Sequence, residues 1–454
     1  MNNILSENKQ KTVAALFTAI ILTIWSGSLL PSSIAYTVTM LVGSFFFIGI
    51  VLLTKKTKYS VSDINNINIP ILICIELIAI CFLIASIRFQ MLGYCAIACV
   101  IGFVFPFFYC SVNISRENNR LFLQALWDGT LVSYVFFLII SFLITPITDD
   151  VYAAFLKNPN TLGSYLIVVF IAAVYKVNNR IHNGKCNGTI KYSLILGSIV
   201  LFSIVSLSRT TILPMILILV INILFMLACK KNIRVDKKQI VCIVVSVIIG
   251  LAGTFLLYAK VSYLMQEKTA WGNLSSQIVK ALHLNENESA MTNSEKLFEN
   301  FQRKSMKGLD GSERFTSGRT EIWKDYIKEL NWLGHNKEER HIVTKYYDYT
   351  TNAHNTYLQI AYSTGIQGGI AFLVFIIMIS IYSLLSLIRA FKLRVFDIEM
   401  LSTIGVIIAF GLNSLVAVGY SPFSATVVFV FWVVCVVFVR KDVNLYKKKQ
   451  RKLV

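Results

Sequence analysis

The stretch PILICIELIAICFLIASI at residues 70–87 carries a single charge, Glu76, and shows no alternation of apolar with polar residues. Wound as a helix rising about 1.5 Å per residue, a block of this length crosses the hydrocarbon core of a bilayer, about 30 Å thick. Eleven further blocks have the same character, at 12–29, 33–54, 91–110, 121–145, 161–175, 192–207, 212–229, 239–259, 356–388, 398–418 and 423–439. The 454 residues are 56% hydrophobic and 15% charged, with mean hydropathy +0.65, whereas a soluble domain carries roughly 25% charged residues. The chain therefore reads as an all-α polytopic membrane protein with about twelve spans. A membrane β-barrel is excluded, because its strands alternate with a period of two. The first block follows Lys9 and Lys11 and resembles a secretory signal, but the blocks after it favour an uncleaved span.

Charge assigns the sides. Both termini and the segments near 55–69, 111–120, 176–191, 230–238 and 389–397 together hold 26 of the 43 Lys and Arg. The alternate loops, one excepted, hold almost none. Lysine and arginine collect on the cytoplasmic side, so both termini are expected inside, and the pI near 9.5 reflects topology rather than nucleic-acid binding. The tail KKKQRK at 447–452 reads as a stop-transfer signal within reach of anionic headgroups.

Three parts follow: spans 1–9 over 1–259, one large extracytoplasmic loop over 260–355, and spans 10–12 with a basic tail over 356–454. The loop holds 14 Lys and Arg against 13 Asp and Glu. SEKLFENFQRKS (294–305) and GRTEIWKDYIKELNWL (318–333) alternate apolar and polar residues at helical spacing. Ile322, Trp323, Tyr326, Ile327 and Leu330 are expected on one face, so the loop reads as a packed helical subdomain. Eight of the nine cysteines, all but Cys186, lie in apolar blocks; neither a disulfide framework nor a metal site is expected. No Walker or dinucleotide motif is present, and no cofactor is expected.

Three charged features sit at the outward membrane boundary. Arg209 lies in SLSRTTILP (206–214), in a very short turn between two apolar blocks. It reads either as a snorkelling arginine capping a helix hairpin or as an anion ligand. Arg314 and Arg319 lie in GSERFTSGRTEIW (311–323). Either could be a solvated surface residue, but Arg319 falls in the first turn of a helix, where backbone amides and a guanidinium together attract an anion. His354 and Asn355 open HNTYLQIAYSTGIQGG (354–369), and His354 is one of only five histidines. Leu358, Ala361, Gly365 and Gly369 recur from His354 on roughly one helical face. The pair Gly365 and Gly369 permits close helix packing or a break at the membrane surface.

Together the features describe a reaction. Arginines suit an anionic group such as a lipid diphosphate. A neutral histidine beside them can take the proton of an attacking hydroxyl, and neighbouring cations keep it neutral by lowering its pKa. The outer face of a membrane lacks ATP, so group transfer there needs a pre-activated donor such as a polyprenyl-diphosphate sugar. The arginines would offset charge growing on the departing diphosphate.

SLSRT (206–210), SGRTEIW (317–323), NWLGHN (331–336) and HNTYLQIAYSTGIQGG, in this order and with a large loop after the first, resemble the bacterial O-antigen ligases and the O-antigen or capsule polymerases of the Wzy type. The likeness carries motifs over about residues 190–380; the first half matches as a string of spans. It implies a glycosyltransferase-C-like membrane architecture in the bacterial cytoplasmic membrane. It also implies metal-independent, inverting transfer of glycan from undecaprenyl diphosphate to an acceptor hydroxyl. Donor and acceptor would be undecaprenyl-diphosphate-linked oligosaccharides, and the chain-length regulator and flippase of the pathway are the partners it suggests. By motif position Arg209 and Arg319 would bind the diphosphate and His354 would be the base; Arg314 is added by proximity. His335 is followed by Asn336 where the family often has glycine, so it is left outside the catalytic set. Arg88, at the outer end of the third span, could also reach a diphosphate but reads better as a snorkelling residue, and Glu76 and Asp128, inside apolar blocks, either line a cavity or pair across spans. A polymerase joining repeat units is the leading reading. A ligase differs only in its acceptor, a flippase would favour short outer loops, and a sensor would leave Arg209, Arg319 and His354 unexplained.

Overall fold

The computed structural model describes residues 6–30, 32–54, 67–112, 116–144, 152–156, 158–183, 188–206, 208–229, 237–266, 319–337, 339–343 and 348–440. In a bilayer every backbone polar group must be satisfied internally, so apolar blocks of this length wind into helices. Nine helices among the described residues are long and apolar enough to cross a membrane. They are α1 (Glu7–Leu29), α2 (Ser32–Thr54), α3 (Ile69–Phe89), α4 (Leu92–Val112), α5 (Arg116–Ile144), α6 (Pro159–His182), α8 (Arg209–Ala228), α9 (Lys237–Gln266) and α12 (Ile366–Lys392). Three shorter apolar helices complete the bundle: α7 (Thr189–Val205), α13 (Ile398–Ser414) and α14 (Thr426–Val434). The chain is a multi-pass membrane protein.

The bundle is apolar on its rim as well as in its middle. Phe45, Ile87, Leu92 and Phe103 stand exposed on its outside, the surface expected where the solvent is lipid. Helices α6 and α14 run through the centre. Every residue of α14 is buried, with Phe431 stacked on Phe410 at 3.8 Å and Trp432 on Phe375 at 5.6 Å between ring centroids. Helix α4 carries a π-helical stretch at Val100–Val104, facing α3, where a Cβ on Gly102 would meet Ala79 and the Glu76 carboxylate.

Outside the apolar helices, the described part of the large loop holds α10 (Arg319–Lys328) and two short strands, β1 (Arg340–Val343) and β2 (Asp348–Thr351). The strands pair antiparallel, Arg340 with Thr351 and His341 with Thr350. The expected all-α membrane fold holds, with one short hairpin added among the described residues. Its four-residue strands are too short and too polar to carry a periodic signal. SEKLFENFQRKS lies outside the described residues. Of the face expected on α10, Ile322 and Tyr326 are buried against Ile342, Ala353 and Tyr362, and Leu330 packs beside them; Ile327 is exposed, on the far side of the helix.

The expected tenth span at 356–388 is not one helix. A short helix α11 (Thr356–Thr364) ends at Gly365, whose φ of +90° is forbidden to most side chains, and α12 starts immediately after it. The break has a physical cause. The Asn331–Gly334 segment inserts there, with Ile366 N–H donating to Asn331 O at 3.0 Å. A Cβ on Gly365 would stand 2.3 Å from Trp332 O, and one on Gly334 (φ +75°) would stand 2.4 Å from Ser363 O. Gly369 packs directly on Ala361, although eight residues of straight helix would separate them by about 12 Å. The single helical face running from His354 to Gly369 is therefore replaced by two helices that meet at a sharp bend.

Cross-bundle hydrogen bonds gather the loops expected on one side at one end of the bundle. Tyr152 N–H donates to Val205 O at 3.2 Å, and Ser208 Oγ reaches Asn160 Oδ1 at 3.4 Å. Thr356 Oγ1 donates to Ala417 O at 2.8 Å and accepts from Gly419 N–H at 2.9 Å. Asn355 Nδ2 donates to Leu415 O. The start of α11 and the α13–α14 connection thus form one body.

Candidate active site

His354 is held at this end by hydrogen bonds along the chain on both sides of it. Its φ of +45° lies in the left-handed region, which costs a non-glycine residue about 1–3 kcal/mol and persists only where the surroundings enforce it. Here they do. His354 N–H donates to Asn352 Oδ1 at 3.0 Å, and Ala353 N–H to Gln359 Oε1 at 2.9 Å. Trp323 Nε1–H donates to Ala353 O at 3.0 Å, and the Tyr326 hydroxyl to Thr351 O at 2.7 Å. Asn355 then caps α11, its Oδ1 accepting from Leu358 N–H at 3.0 Å.

Two of these anchors belong to α10, and the spacing explains why. Arg319, Trp323 and Tyr326 follow at i, i+4 and i+7, one stripe of a helix. Trp323 and Tyr326 fasten that stripe to the carbonyls flanking His354, so the Arg319 guanidinium comes into electrostatic reach of the imidazole. Arg319 is half-buried and has no carboxylate partner among the described residues. Burial lowers its pKa, but a guanidinium remains a cation at neutral pH. A few residues away, Arg340 bonds Asp325 Oδ2 at 3.0 Å and Glu329 Oε1 at 3.4 Å, besides donating to Asp325 O. One arginine staples β1 to α10; the other keeps its charge uncompensated.

The imidazole of His354 is half-buried. Burial first, and the Arg319 charge second, hold its pKa below the ordinary histidine value. The ring is therefore neutral at pH 7. Its Nε2 lies 3.1 Å from Thr351 Oγ1. That hydroxyl has one proton, which Asn352 O accepts at 3.3 Å; the oxygen is then an acceptor for Nε2–H. In this arrangement the lone pair is on Nδ1, which has no partner among the described residues.

NWLGHN is a structural clasp. Asn331 Oδ1 accepts from Leu333 N–H and Gly334 N–H, both at 2.8 Å, which turns its Nδ2 toward His335 Nε2 at 3.1 Å. His335 Nδ1 faces Tyr362 O at 3.0 Å. A carbonyl only accepts, so Nδ1 carries the proton and both ring nitrogens are used. The ring also stacks on Tyr362 at 4.0 Å between centroids, 7° from parallel.

Of the residues singled out in the sequence, Arg319 and His354 come together. The backbone of Arg209 opens α8 after Ser208, at the same end of the bundle and beside the start of α6; its side chain lies outside the described residues, as does Arg314. Arg88 lies over the Phe89 ring at 5.4 Å. Asp128 pairs with Lys176 at 2.6 Å and Arg120 with Glu399 at 3.0 Å, cross-links between helices rather than parts of the site. Sequence reading missed Thr351, Asn352 and Gln359. It also read Trp323 and Tyr326 only as apolar, although their polar tips make the decisive bonds.

A family model described as O-antigen ligase matches residues 193–373. The match begins in α7 and ends in the first turns of α12, so it takes in SLSRT, Arg319, the clasp and His354. No curated protein and no solved structure matches the chain. Over these residues, fewer than half of the chain, the protein is similar to the O-antigen ligase family.

Proposed function

We propose that the protein is a polysaccharide polymerase of the bacterial cytoplasmic membrane, with both termini in the cytoplasm and the His354 site on the extracytoplasmic face. It joins O-antigen or capsule repeat units carried on undecaprenyl diphosphate, beside the flippase and chain-length regulator of the same pathway. The observation that carries this reading is the juxtaposition of Arg319, half-buried with no carboxylate partner among the described residues, and His354, neutral with one ring nitrogen unpartnered among them.

Arg319, with Arg209 and Arg314, binds the donor diphosphate. The acceptor hydroxyl oxygen attacks the anomeric carbon and gives its proton to Nδ1 of His354. The bond from that carbon to the diphosphate oxygen breaks, its electron pair leaving with undecaprenyl diphosphate. Attack opposite the leaving group inverts the anomeric configuration. Thr351 keeps the proton of the resting ring on Nε2, and the guanidinium offsets the charge that grows on the leaving oxygens. A general base contributes roughly 10²–10⁴-fold to such a step.

A ligase that moves finished glycan to another acceptor would use the same groups, and the matched family description favours keeping it in view. Gel sizing of surface glycan from a deletion strain separates the two. Single repeat units are expected of a lost polymerase; unattached full-length polymer would identify a ligase. Unchanged surface glycan would overturn both.

A further inference from the structure

At the same end of the bundle α1, α2, the start of α6 and the segment before α14 enclose a cavity of about 340 Å³, within the range of small-molecule sites. No charged residue lines it among the described residues. Its wall combines the aromatic rings of Trp25, Tyr36, Tyr165 and Phe423 with the hydroxyls of Thr39, Thr161, Ser421 and Ser424. Three serine hydroxyls of the wall have spent their protons: Ser28 Oγ donates to Trp25 O at 2.6 Å, Ser424 Oγ to Ser421 O at 2.8 Å and Ser421 Oγ to Met40 Sδ at 3.3 Å. What they have left is lone pairs. Trp25 lends the cavity only its ring: it is 4% exposed and its Nε1 is buried out of reach of a ligand there. A diphosphate would find no cation among the described residues of the wall. An uncharged ring bearing hydroxyls on apolar faces meets every feature.

Two chain segments link the cavity wall to the elements that hold the site. Ser421 and Ser424 continue the segment whose Leu415, Ala417 and Gly419 hold Asn355 and Thr356. Thr161 follows Asn160, which reaches Ser208. We propose that this cavity is a sugar subsite that takes one neutral hexose-type ring of the lipid-linked glycan, its hydroxyls donating to the threonine and serine oxygens of the wall. The assignment rests on the glycan-transfer reading above.

The test measures binding to the full-length protein in nanodiscs, with wild type, Ser424→Ala and Thr161→Val. Three probes are used: the repeat unit on undecaprenyl diphosphate isolated from the source cells, undecaprenyl diphosphate without sugar, and the repeat-unit oligosaccharide freed from lipid. Each variant is expected to weaken the sugar-bearing lipid roughly three- to tenfold, the loss of one hydrogen bond. The sugarless lipid should bind unchanged, which also shows that the variant is folded. Loss confined to the lipid-linked form identifies the ring as the donor's, and loss for the free oligosaccharide as well identifies it as the acceptor's. Equal losses with and without sugar would make the cavity a tail site and overturn the proposal, as would no loss in either variant. Wild type that binds neither diphosphate lipid would overturn the glycan-transfer reading itself.

Discussion

His335 and His354 stand nineteen residues apart at the same end of the bundle, and the chain uses them in opposite ways. His335 has both nitrogens committed, one to Tyr362 O and one to Asn331, with its face stacked on Tyr362. His354 has one nitrogen on Thr351 and the other without a partner among the described residues, in a backbone conformation it would not adopt unaided. The arginines repeat the contrast, with Arg340 between two carboxylates and Arg319 paired with none among the described residues. A residue type therefore does not mark function here. What marks it is hydrogen-bonding or charge capacity that the fold has left unspent, held in place by neighbours that have spent theirs.

The comparison breaks most visibly if the two histidines prove interchangeable. His354→Gln is expected to lower transfer in proteoliposomes by roughly 10²–10⁴-fold while the protein still inserts. Polymer of normal length from that variant would remove His354 from the chemistry. Arg319→Lys comes next, at about a hundredfold, because a point charge cannot reproduce a bidentate diphosphate contact. The same change at Arg340 should act on thermal stability rather than on the rate at the permissive temperature. Thr351→Val should cost about tenfold, the value of one lost hydrogen bond, and Thr351→Ser should restore most of it. Equal rates for Val and Ser would free the tautomer from Thr351.

The pH profile sharpens the same contrast. The rate should rise as pH climbs through the His354 pKa, since the base must be neutral. Burial and the Arg319 charge hold that pKa below the ordinary value of 6.5, so the acid limb of the wild type lies below pH 6.5. Arg319→Gln removes the smaller of the two causes. The limb should then move upward, at lower overall rate, without the whole displacement being lost. An unmoved limb would sever the coupling between the two residues. The smallest effect on chemistry is expected from His335→Phe, which keeps the stack and strands Tyr362 O. It should lower the unfolding temperature in detergent and leave the rate of the folded protein within severalfold.

The membrane fold was legible because hydropathy and block length are local properties, and the apolar blocks reappear as helices α1 to α9 and α12 to α14. The bend at Gly365 was only half legible. A glycine pair four apart is compatible with tight packing and with a break, and the choice depends on Asn331–Gly334, which lies thirty residues upstream. The hairpin left no trace because RHIV and DYTT are too short to show a period. Within the site, the residue types of Arg319 and His354 were informative, since charge and imidazole at a membrane boundary need a reason. Their supports were not. Trp323 and Tyr326 look like core residues until their N–H and O–H are seen on Ala353 O and Thr351 O, and Thr351, Asn352 and Gln359 carry no pattern at all.

The central claim, that His354 removes a proton from the attacking hydroxyl, is tested most directly with a nucleophile that has none to lose. Azide is such a nucleophile, and the measurement is donor turnover by His354→Gly protein in proteoliposomes with sodium azide in place of the acceptor. The account predicts that glycosyl azide of inverted configuration and undecaprenyl diphosphate form at rates close to those of wild type under the same conditions, although transfer to a hydroxyl is lost. Donor that binds normally to the variant but is not consumed with azide would contradict it, and would give His354 a part in binding or leaving-group departure instead.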